Sequence, residues 1–386
     1  MVSTSAIQCA CLVLLLVTIN KVQAQSKVYN VLEHGAVADG KFDNSKVLSE
    51  VWNQSCHQNT GGGVILFPQG TFMVAPVVLQ GHCKGPMELQ VQGTLQAPVD
   101  VQSSVGVDHW ISFRYVEHFV IHGGGLLDGR GASAWGKSKA LPTTLRLDFV
   151  SHASIRQITF LNSKNTHIKI FTCSVVVISN INISAPGDSP NTDGIKVSNS
   201  KYIQILDSVI SVGDDCIACL PNSKNINITR VHCGPGHGFS IGSISRGAVT
   251  NLNIRNSSLV GTQNGVRIKT KAYPSQPGNV AYITFEHIEM DNVGNPIIID
   301  QNYCPDHGCS GKESSQVQIK NVKFNNIWGT SRTKTAVNFN CSQSKPCHEI
   351  ELRDIDLNYR DGGPANSSCS YVDGKAYGKQ NPPSCL

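Results

Sequence analysis

The sequence predicts an all-β protein that folds as a parallel β-helix, a solenoid of stacked coils. Three observations lead to this prediction: a degenerate repeat runs through most of the chain, each repeat alternates like a β-strand, and helical periodicity is absent from residue 115 onward. The chain has 386 residues, of which 40% are hydrophobic and 15% charged, so it can bury a large core. Because each coil contacts only its neighbours, the stack is one domain whatever its length.

The repeat has the pattern h-x-h-x-x-h-x-h, in which h is mostly apolar. Its occurrences begin at Phe119, Ala153, Val176, Ile203, Ile226, Leu252, Ile283, Val317 and Ile350. Successive starts lie 23 to 34 residues apart, a period typical of solenoids and propellers. A propeller blade needs ~40–45 residues, and leucine-rich repeats have regular leucines and a fixed length. Coils of two to three short strands therefore fit best.

Within each repeat the apolar positions alternate with polar ones, which is the pattern of a strand with one buried face. A second alternation follows most repeats and predicts a further strand in the same coil. Its apolar residues are Ile195 and Val197, Ile217, Phe239 and Ile241, Val266 and Ile268, Ile297 and Ile299, and Val337 and Phe339.

Both ends of a β-helix need a cover, because an open end exposes unpaired strand edges and an apolar bore. Residues 43–55 are predicted to form a short N-terminal capping helix, with Asp43 or Asn44 at the N-cap. Its apolar face consists of Val47, Leu48, Val51 and Trp52. The cysteine-containing tail, residues 341–385, is expected to seal the other end.

The first 24 residues predict a signal peptide, which leaves residues 25–386 as a single parallel β-helix domain. Residues 6–19 are largely apolar, and Val22-Gln23-Ala24 offers small residues at the cleavage position. This run is shorter than the ~20 residues that span a bilayer, so no membrane association is predicted. The net charge of +5 is too small and too dispersed to indicate a nucleic-acid-binding protein. We therefore expect a secreted protein.

Cysteine usage agrees with export, since 14 cysteines become an even twelve once Cys9 and Cys11 leave with the signal peptide. Four predicted disulfides would close short loops: Cys56–Cys83, Cys216–Cys233, Cys341–Cys347 and Cys369–Cys385. Cys173 and Cys219 are expected to be buried free thiols. Cys/His spacing typical of zinc sites does not occur. Glycosylation sequons begin at Asn53, Asn182, Asn227, Asn256, Asn340 and Asn366.

Polar clusters follow four consecutive repeat starts by 11 to 17 residues, at or just before the second strand of each coil. Residues at matching positions of stacked coils lie about 4.8 Å apart. The predicted strip consists of Asp193, Asp214 with Asp215, His237, and Arg267 with Lys269. Each cluster alone is an ordinary solvated turn or strand face. Their recurrence in nearly the same phase favours a functional site.

The charges of this strip suggest its chemistry. Carboxylates on neighbouring coils perturb one another, so one of them can keep its proton near neutral pH while another is ionised. Such a site contains both a general acid and a general base. Arg267 and Lys269 lie two apart in a strand and share one face, where they suit an anionic substrate. An acidic polysaccharide lying along a groove meets these conditions.

At these residues the sequence resembles the polygalacturonase family of pectin-degrading glycoside hydrolases, especially its plant members. Four family motifs stand in order: Asn191-Thr192-Asp193, Gly213-Asp214-Asp215, Gly236-His237-Gly238 and Arg267-Ile268-Lys269. A tyrosine that follows them in the family matches Tyr303, and the run from Gly35 to Asn44 is similar to the family's opening. The resemblance covers nearly the whole mature chain.

The resemblance implies a right-handed parallel β-helix that hydrolyses α-1,4-galacturonosyl linkages of pectin with inversion. It implies Asp214 as the general acid, Asp193 and Asp215 as the groups that activate water, and His237 as the residue that tunes the acid. Arg267, Lys269 and Tyr303 would bind the galacturonate. It implies a monomer acting in the cell wall, without a metal or cofactor.

Two positions depart from the family pattern: Lys196 stands where His is frequent, and Ala218 where a hydroxyl residue is common. Lys196 is expected to face the groove. The residues before Asn191 and the run from Cys233 to His237 resemble pollen-type members that act from chain ends, which favours exo cleavage.

Three alternatives remain open from the sequence. A β-helix pectate lyase would use Asp193, Asp214 and Asp215 as calcium ligands. A pectin-binding wall protein could keep the groove without the chemistry, although all three carboxylates are present. A related hydrolase would act on rhamnogalacturonan or xylogalacturonan.

Overall fold

Parallel pairing between strands one coil apart defines the fold. The computed structural model describes residues 26–100, 107–137, 141–272, 276–305 and 314–386, so the predicted signal peptide lies outside the described residues. Three ladders of strands run along the molecule, and every pairing between their strands is parallel. The predicted parallel β-helix is therefore observed.

The first two ladders begin as separate short strands. The first contains β1 (Lys27–Asn30), β3 (Gly63–Phe67), β6 (Met87–Val91), β9 (Glu117–His122), β12 (Ser151–Arg156) and β15 (Ser174–Ser179). The second contains β2 (Asp39–Asp43), β4 (Thr71–Met73), β7 (Thr94–Gln96), β10 (Leu126–Asp128), β13 (Thr159–Leu161) and β16 (Asn182–Ser184).

These two ladders merge where the strands lengthen, because β18 pairs with both β15 and β16. The merged strands are β18 (Lys201–Ser211), β20 (Ser223–Cys233), β22 (Gly247–Val260), β24 (Gly278–Val293), β26 (Val317–Ser331), β28 (Cys347–Tyr359) and β30 (Val372–Asn381).

The third ladder carries the second alternation found in the sequence. It contains β5 (Val77–Gln80), β8 (His109–Arg114), β11 (Thr143–Asp148), β14 (Ile168–Phe171), β17 (Ile195–Ser198), β19 (Ile217–Cys219), β21 (Phe239–Ile244), β23 (Asn264–Lys271), β25 (Asn295–Tyr303), β27 (Thr335–Asn340) and β29 (Asn366–Ser370). The first apolar residues of this alternation are buried and are register partners from coil to coil: Ile195, Ile217, Phe239, Val266, Ile297 and Val337. The predicted alternation is confirmed.

The repeat predicted from the sequence is confirmed except in one frame. Val176, Ile203, Ile226, Leu252 and Ile283 are successive register partners, as their repeat positions require. The next partner of Ile283 is Val322, not Val317. The frame that begins at Val317 was therefore wrong by five residues, because Val317 and Ile319 are buried residues of an earlier part of β26 that pairs with Gly278 and Val280.

The capping helix is also observed. An α-helix, α1, spans Ser45–Trp52 and continues as a π-helical turn over Asn53–Gln58, while 3-10 turns span Val31–His34 and Gly131–Ser133. Leu48, Val51 and Trp52 are buried, and the Trp52 ring lies 5.4 Å from the ring of Phe113. Since α1 packs against β5, the first strand of the third ladder, it covers the N-terminal edge of that ladder.

All four predicted disulfides are formed, and Cys173 and Cys219 are free and buried. The tail supplies the last strands, β29 and β30, of their ladders, so it forms the final coil of the stack. Within the described residues, no helix has the length and apolar character needed to cross a membrane.

Candidate active site

The third ladder brings the predicted polar clusters to one side of the solenoid. The strands β17, β19 and β21 begin with apolar register partners, and a polar residue stands two positions before each of these. The polar residues are Asp193, Asp215 and His237. Asp214 directly precedes Asp215, and Arg267 and Lys269 extend from β23 one coil further on. Coil registry therefore assembles residues that are far apart in the sequence.

Asp215 forms the centre of a buried ionic network. Its Oδ1 accepts hydrogen bonds from Arg267 Nη2 at 2.6 Å and from Ser240 Oγ at 2.7 Å, and its Oδ2 accepts one from Lys269 Nζ at 2.9 Å. Ser240 Oγ also accepts a bond from Arg267 Nε at 3.0 Å. Arg267 and Lys269 were expected to bind substrate, and the structure shows that both form ion pairs with Asp215.

Asp214 is the most accessible of the three carboxylates, with 24% of its side chain exposed. Its Oδ1 accepts bonds from His237 Nδ1 at 2.9 Å and from the backbone amide of Asp215 at 2.8 Å. Burial alone would raise the pKa of Asp214, but the His237 hydrogen bond and charge, with Lys196 and Lys269, outweigh burial and hold this pKa at about 2. Asp214 is therefore ionised in the resting site.

Asp193 has the opposite character. Its side chain is 3% exposed, and Lys196 Nζ lies 2.7 Å from its Oδ1. The two groups form an ion pair, but the angle between them is unsuitable for a hydrogen bond to Oδ1. Burial raises the pKa of Asp193 to about 7, while Lys196 opposes this rise and Asp214 and Asp215 add to it. The cluster therefore keeps one proton up to nearly neutral pH.

Tyr303, at the end of β25, lies beside the cations of the network. Lys269 Nζ is 5.1 Å from the centre of its ring, within the range of a cation–π contact. Burial raises the pKa of Tyr303, so its hydroxyl stays protonated and can donate a hydrogen bond. The structure thus brings all seven predicted site residues together.

Metal binding at this cluster is disfavoured by its charges. One ligand atom each of Asp214, Asp215 and His237 lie within 4.8 Å of one another, a spacing that a metal site could use. However, Arg267 and Lys269 already occupy both oxygens of Asp215, and His237 bonds to Asp214. A divalent cation would have to displace two buried cations.

Two hydroxyl residues were missed by the sequence analysis. Ser240 bridges Arg267 and Asp215, and it is the register partner of Arg267, so aligning the second alternation across coils could have found it. Thr192 Oγ1 accepts a hydrogen bond from the amide of Gly213 at 3.0 Å. This bond joins the turn that carries Asp193 to the turn that carries the other two carboxylates.

His167 was also missed, and it supports the backbone of Asp193. Its ring is buried, and burial lowers its pKa to about 4. The neutral ring donates from Nδ1 to the Asp193 carbonyl oxygen at 3.0 Å and accepts at Nε2 from the Ser163 amide at 3.3 Å. No sequence signal distinguishes this histidine from an ordinary core histidine.

The chain matches glycosyl hydrolases family 28 over residues 56–382. A polygalacturonase of Gossypium hirsutum is 42% identical over 387 residues, which cover 97% of this chain and 94% of the relative. An exopolygalacturonase of Platanus acerifolia is 41% identical over 376 residues, which cover 94% of this chain and 98% of the relative.

Solved structures share the fold. An exopolygalacturonase from Thermotoga maritima superposes with a TM-score of 0.78 at 21% identity, covering 91% of this chain and 90% of that one. A polygalacturonase from Erwinia carotovora gives a TM-score of 0.72 at 22% identity, covering 91% and 96%. These likenesses confirm the predicted right-handed parallel β-helix.

Proposed function

The chain belongs to glycosyl hydrolases family 28, and from this membership we propose that it is a polygalacturonase, which hydrolyses the α-1,4 linkages of polygalacturonate. The single observation that carries this assignment to the site is the clustering of three carboxylates beside Arg267 and Lys269 on adjacent coils. Carboxylates supply acid and base, and the cations suit an anionic sugar chain.

Asp214 is proposed as the general acid because of its position. Among the described residues its Oδ2 has no hydrogen-bond partner, and the side chain is partly exposed. This oxygen can therefore approach the glycosidic oxygen of a bound chain. The proton of the cluster rests on Asp193, and it is available to Asp214 because interacting carboxylates titrate as a group.

Asp193 and Asp215 are proposed to activate the attacking water. Transfer of the shared proton to Asp214 leaves Asp193 ionised, which is the state that a base requires. Asp215 is poorly suited to covalent attack, because both of its oxygens are engaged by Arg267, Lys269 and Ser240. This argues for single displacement with inversion. Since cations and a hydroxyl group engage both oxygens of Asp215, we assign the main base role to Asp193.

The assignment is tested by release of reducing sugar from polygalacturonate. We expect Asp214→Asn to lower kcat by roughly 10²–10⁴-fold, the usual contribution of general acid catalysis. The matched control is Asp207→Asn, which changes a carboxylate paired with Arg230 at an exposed site. Full activity of Asp214→Asn would show that this residue is not the general acid. The proposed inversion is tested separately by NMR, which reports the anomeric configuration of the first product.

Two further measurements separate the alternatives. A calcium-dependent lyase would lose activity in EDTA and form an unsaturated product, whereas we expect EDTA-resistant cleavage without unsaturation. A hydrolase for a branched polymer would prefer rhamnogalacturonan or xylogalacturonan to polygalacturonate.

We also propose exo action. The residues before Asn191 and the run from Cys233 to His237 resemble exo-acting members, and 41% identity to an exopolygalacturonase supports this proposal. Early product sizing distinguishes the modes, since exo cleavage releases monomer first and endo cleavage releases a spread of oligomers.

We propose that residues 25–386 act as a secreted, monomeric, single-domain enzyme of the cell wall. The predicted disulfides that the structure forms support an oxidising compartment. N-terminal sequencing of the secreted protein tests cleavage after residue 24, and light scattering tests the monomer.

A further inference from the structure

A column of cations lies on the N-terminal side of the carboxylate cluster. Arg146 on β11 pairs with Lys169 on β14, which pairs with Lys196 on β17. The residues flanking Lys169, Ile168 and Ile170, are fully buried in the core. Because side chains alternate along a strand, Lys169 points away from the core, on the same side as the two other cations.

The three cations of this column differ in their partners. Arg146 is paired with Asp108 and with Asp148, whose Oδ1 lies 2.8 Å from Nε. Lys196 is paired with Asp193 at 2.7 Å. Among the residues that the structure describes, no carboxylate forms an ion pair with Lys169.

The environment of Lys169 is unfavourable for a positive charge. Burial lowers the pKa of Lys169, and Arg146 and Lys196 lower it further, while Asp108 and Asp148 compensate only in part. A partly buried ammonium flanked by two cations is stabilised by an additional anion.

A pocket opens beside this lysine. It has a volume of about 270 Å³ and is lined by Asp108, Thr143, Asn165, Thr166, Lys169 and Lys196, among others. Pockets for drug-sized ligands have volumes of ~300–1,000 Å³. The smaller volume of this pocket suits a single sugar unit. Lys196 contacts both this pocket and Asp193, so the pocket adjoins the proposed reaction centre.

We propose that Lys169 and Lys196 form a subsite for the carboxylate of a galacturonate unit next to the cleavage point, and that this subsite selects the free acid over its methyl ester. The proposal rests on the proposed function. A carboxylate completes the charge balance of Lys169 and accepts charge-assisted hydrogen bonds. A methyl ester is neutral, so it adds nothing to the partial compensation that Asp108 and Asp148 provide.

The test compares Lys169→Gln, Lys169→Arg and the wild type on polygalacturonate and on its methyl-esterified form. We expect Lys169→Gln to raise KM for the free acid about tenfold, change kcat by less, and reduce the preference for the free acid by a similar factor. Lys169→Arg keeps the positive charge, so its KM for the free acid and its preference for the free acid should be close to those of the wild type. The control is Lys201→Gln, an exposed lysine on β18 outside the pocket.

A binding measurement tests this proposal independently of the proposed function. Calorimetry with Asp214→Asn protein and trigalacturonate should show about tenfold weaker binding when Lys169→Gln is added, with an unchanged thermal midpoint as the folding control. Equal binding and equal ester preference in both proteins would overturn the subsite while leaving cleavage intact. Absence of any cleavage by the wild type would overturn the function, and the calorimetric comparison would still decide the subsite.

Discussion

Asp214 and Asp215 are adjacent in the chain, yet their carboxylates have different environments. Asp215 is saturated by two cations and a hydroxyl group, whereas Asp214 bonds to His237 and keeps one oxygen free. Asp193 is buried beside a single lysine, and burial raises its pKa to about 7. Different environments around identical side chains are what allow one site to hold an acid and a base at the same pH.

The first prediction concerns the pH dependence of catalysis. The cluster loses its proton as pH rises through the pKa of Asp193 at about 7, so kcat/KM should fall above this pH. Since Lys196 lowers the pKa of Asp193, Lys196→Met should move the alkaline limb to higher pH. Profiles of kcat/KM for both proteins provide the measurement. An alkaline limb that stays in place in Lys196→Met would argue against this electrostatic coupling.

The second prediction concerns stability. The folded-state pKa of Asp193 at about 7 lies above its ordinary value of 3.8, so the folded state binds the proton more tightly than the unfolded state. The stability gained from this proton is fully present below pH ~4 and is lost as pH rises through about 7. Asp193→Asn should therefore raise the thermal midpoint relative to wild type at pH 8, with little difference at pH 4. Asp207→Asn, at an exposed position, serves as the control, and equal midpoints at pH 8 would contradict the burial argument.

At the scale of elements, short loops on the third ladder position the chemistry. Cys216 directly follows the proposed catalytic carboxylates Asp214 and Asp215, and it is bonded to Cys233, which shortly precedes His237 in the chain. The disulfide closes a separation of 17 residues, and none of the proposed site residues lies within that loop. It therefore anchors the ends of two turns that must meet.

The third prediction uses this disulfide. Replacing Cys216 and Cys233 by alanine should lower the free energy of unfolding by about 3 kcal/mol, the value for a loop of this length, and should also lower kcat. The matched control replaces Cys369 and Cys385, whose separation is 16 residues in the tail. That control should cost a similar stability and leave kcat unchanged. Denaturant unfolding measures the stability of each variant, and initial rates measure its kcat. An equal loss of kcat in both variants would show that the Cys216–Cys233 disulfide has no particular effect on the site.

At the scale of the whole molecule, the solenoid places cations on both sides of the carboxylates. Arg146, Lys169 and Lys196 lie towards the N-terminal end, and Arg267 and Lys269 lie towards the C-terminal end. A groove with this charge attracts a polyanion along its length.

The fourth prediction follows from this charge distribution. Salt screens charges over a length that falls from about 10 Å at 0.1 M to about 3 Å at 1 M. The KM for polygalacturonate should therefore rise several-fold across that range, while kcat changes less because Asp215, Arg267 and Lys269 are buried. Initial rates at several salt concentrations measure both constants, and a KM independent of salt would contradict electrostatic capture.

The repeat, the second alternation, the capping helix and the disulfide pairs were all readable from the sequence. Each rests on local chemistry: strands alternate with period two, helices bury one face, and nearby cysteines pair in short loops. The frame at Val317 was the exception, because Val317 and Ile319 alternate like a repeat start while belonging to an extended strand. Only pairing with the neighbouring coil distinguishes the two frames.

The sequence by itself determined the parallel β-helix and the identity of the seven candidate site residues, since periodicity and short motifs are properties of the chain. Only the tertiary structure decided which carboxylate is neutralised, which one keeps the proton and which cation has no carboxylate partner within the described part of the chain. Contacts between coils brought Ser240 and His167 to the site and Lys169 to the proposed subsite. The physical reason is that burial and charge pairing depend on the distances between residues one coil apart, and these distances exist only after the chain has wound.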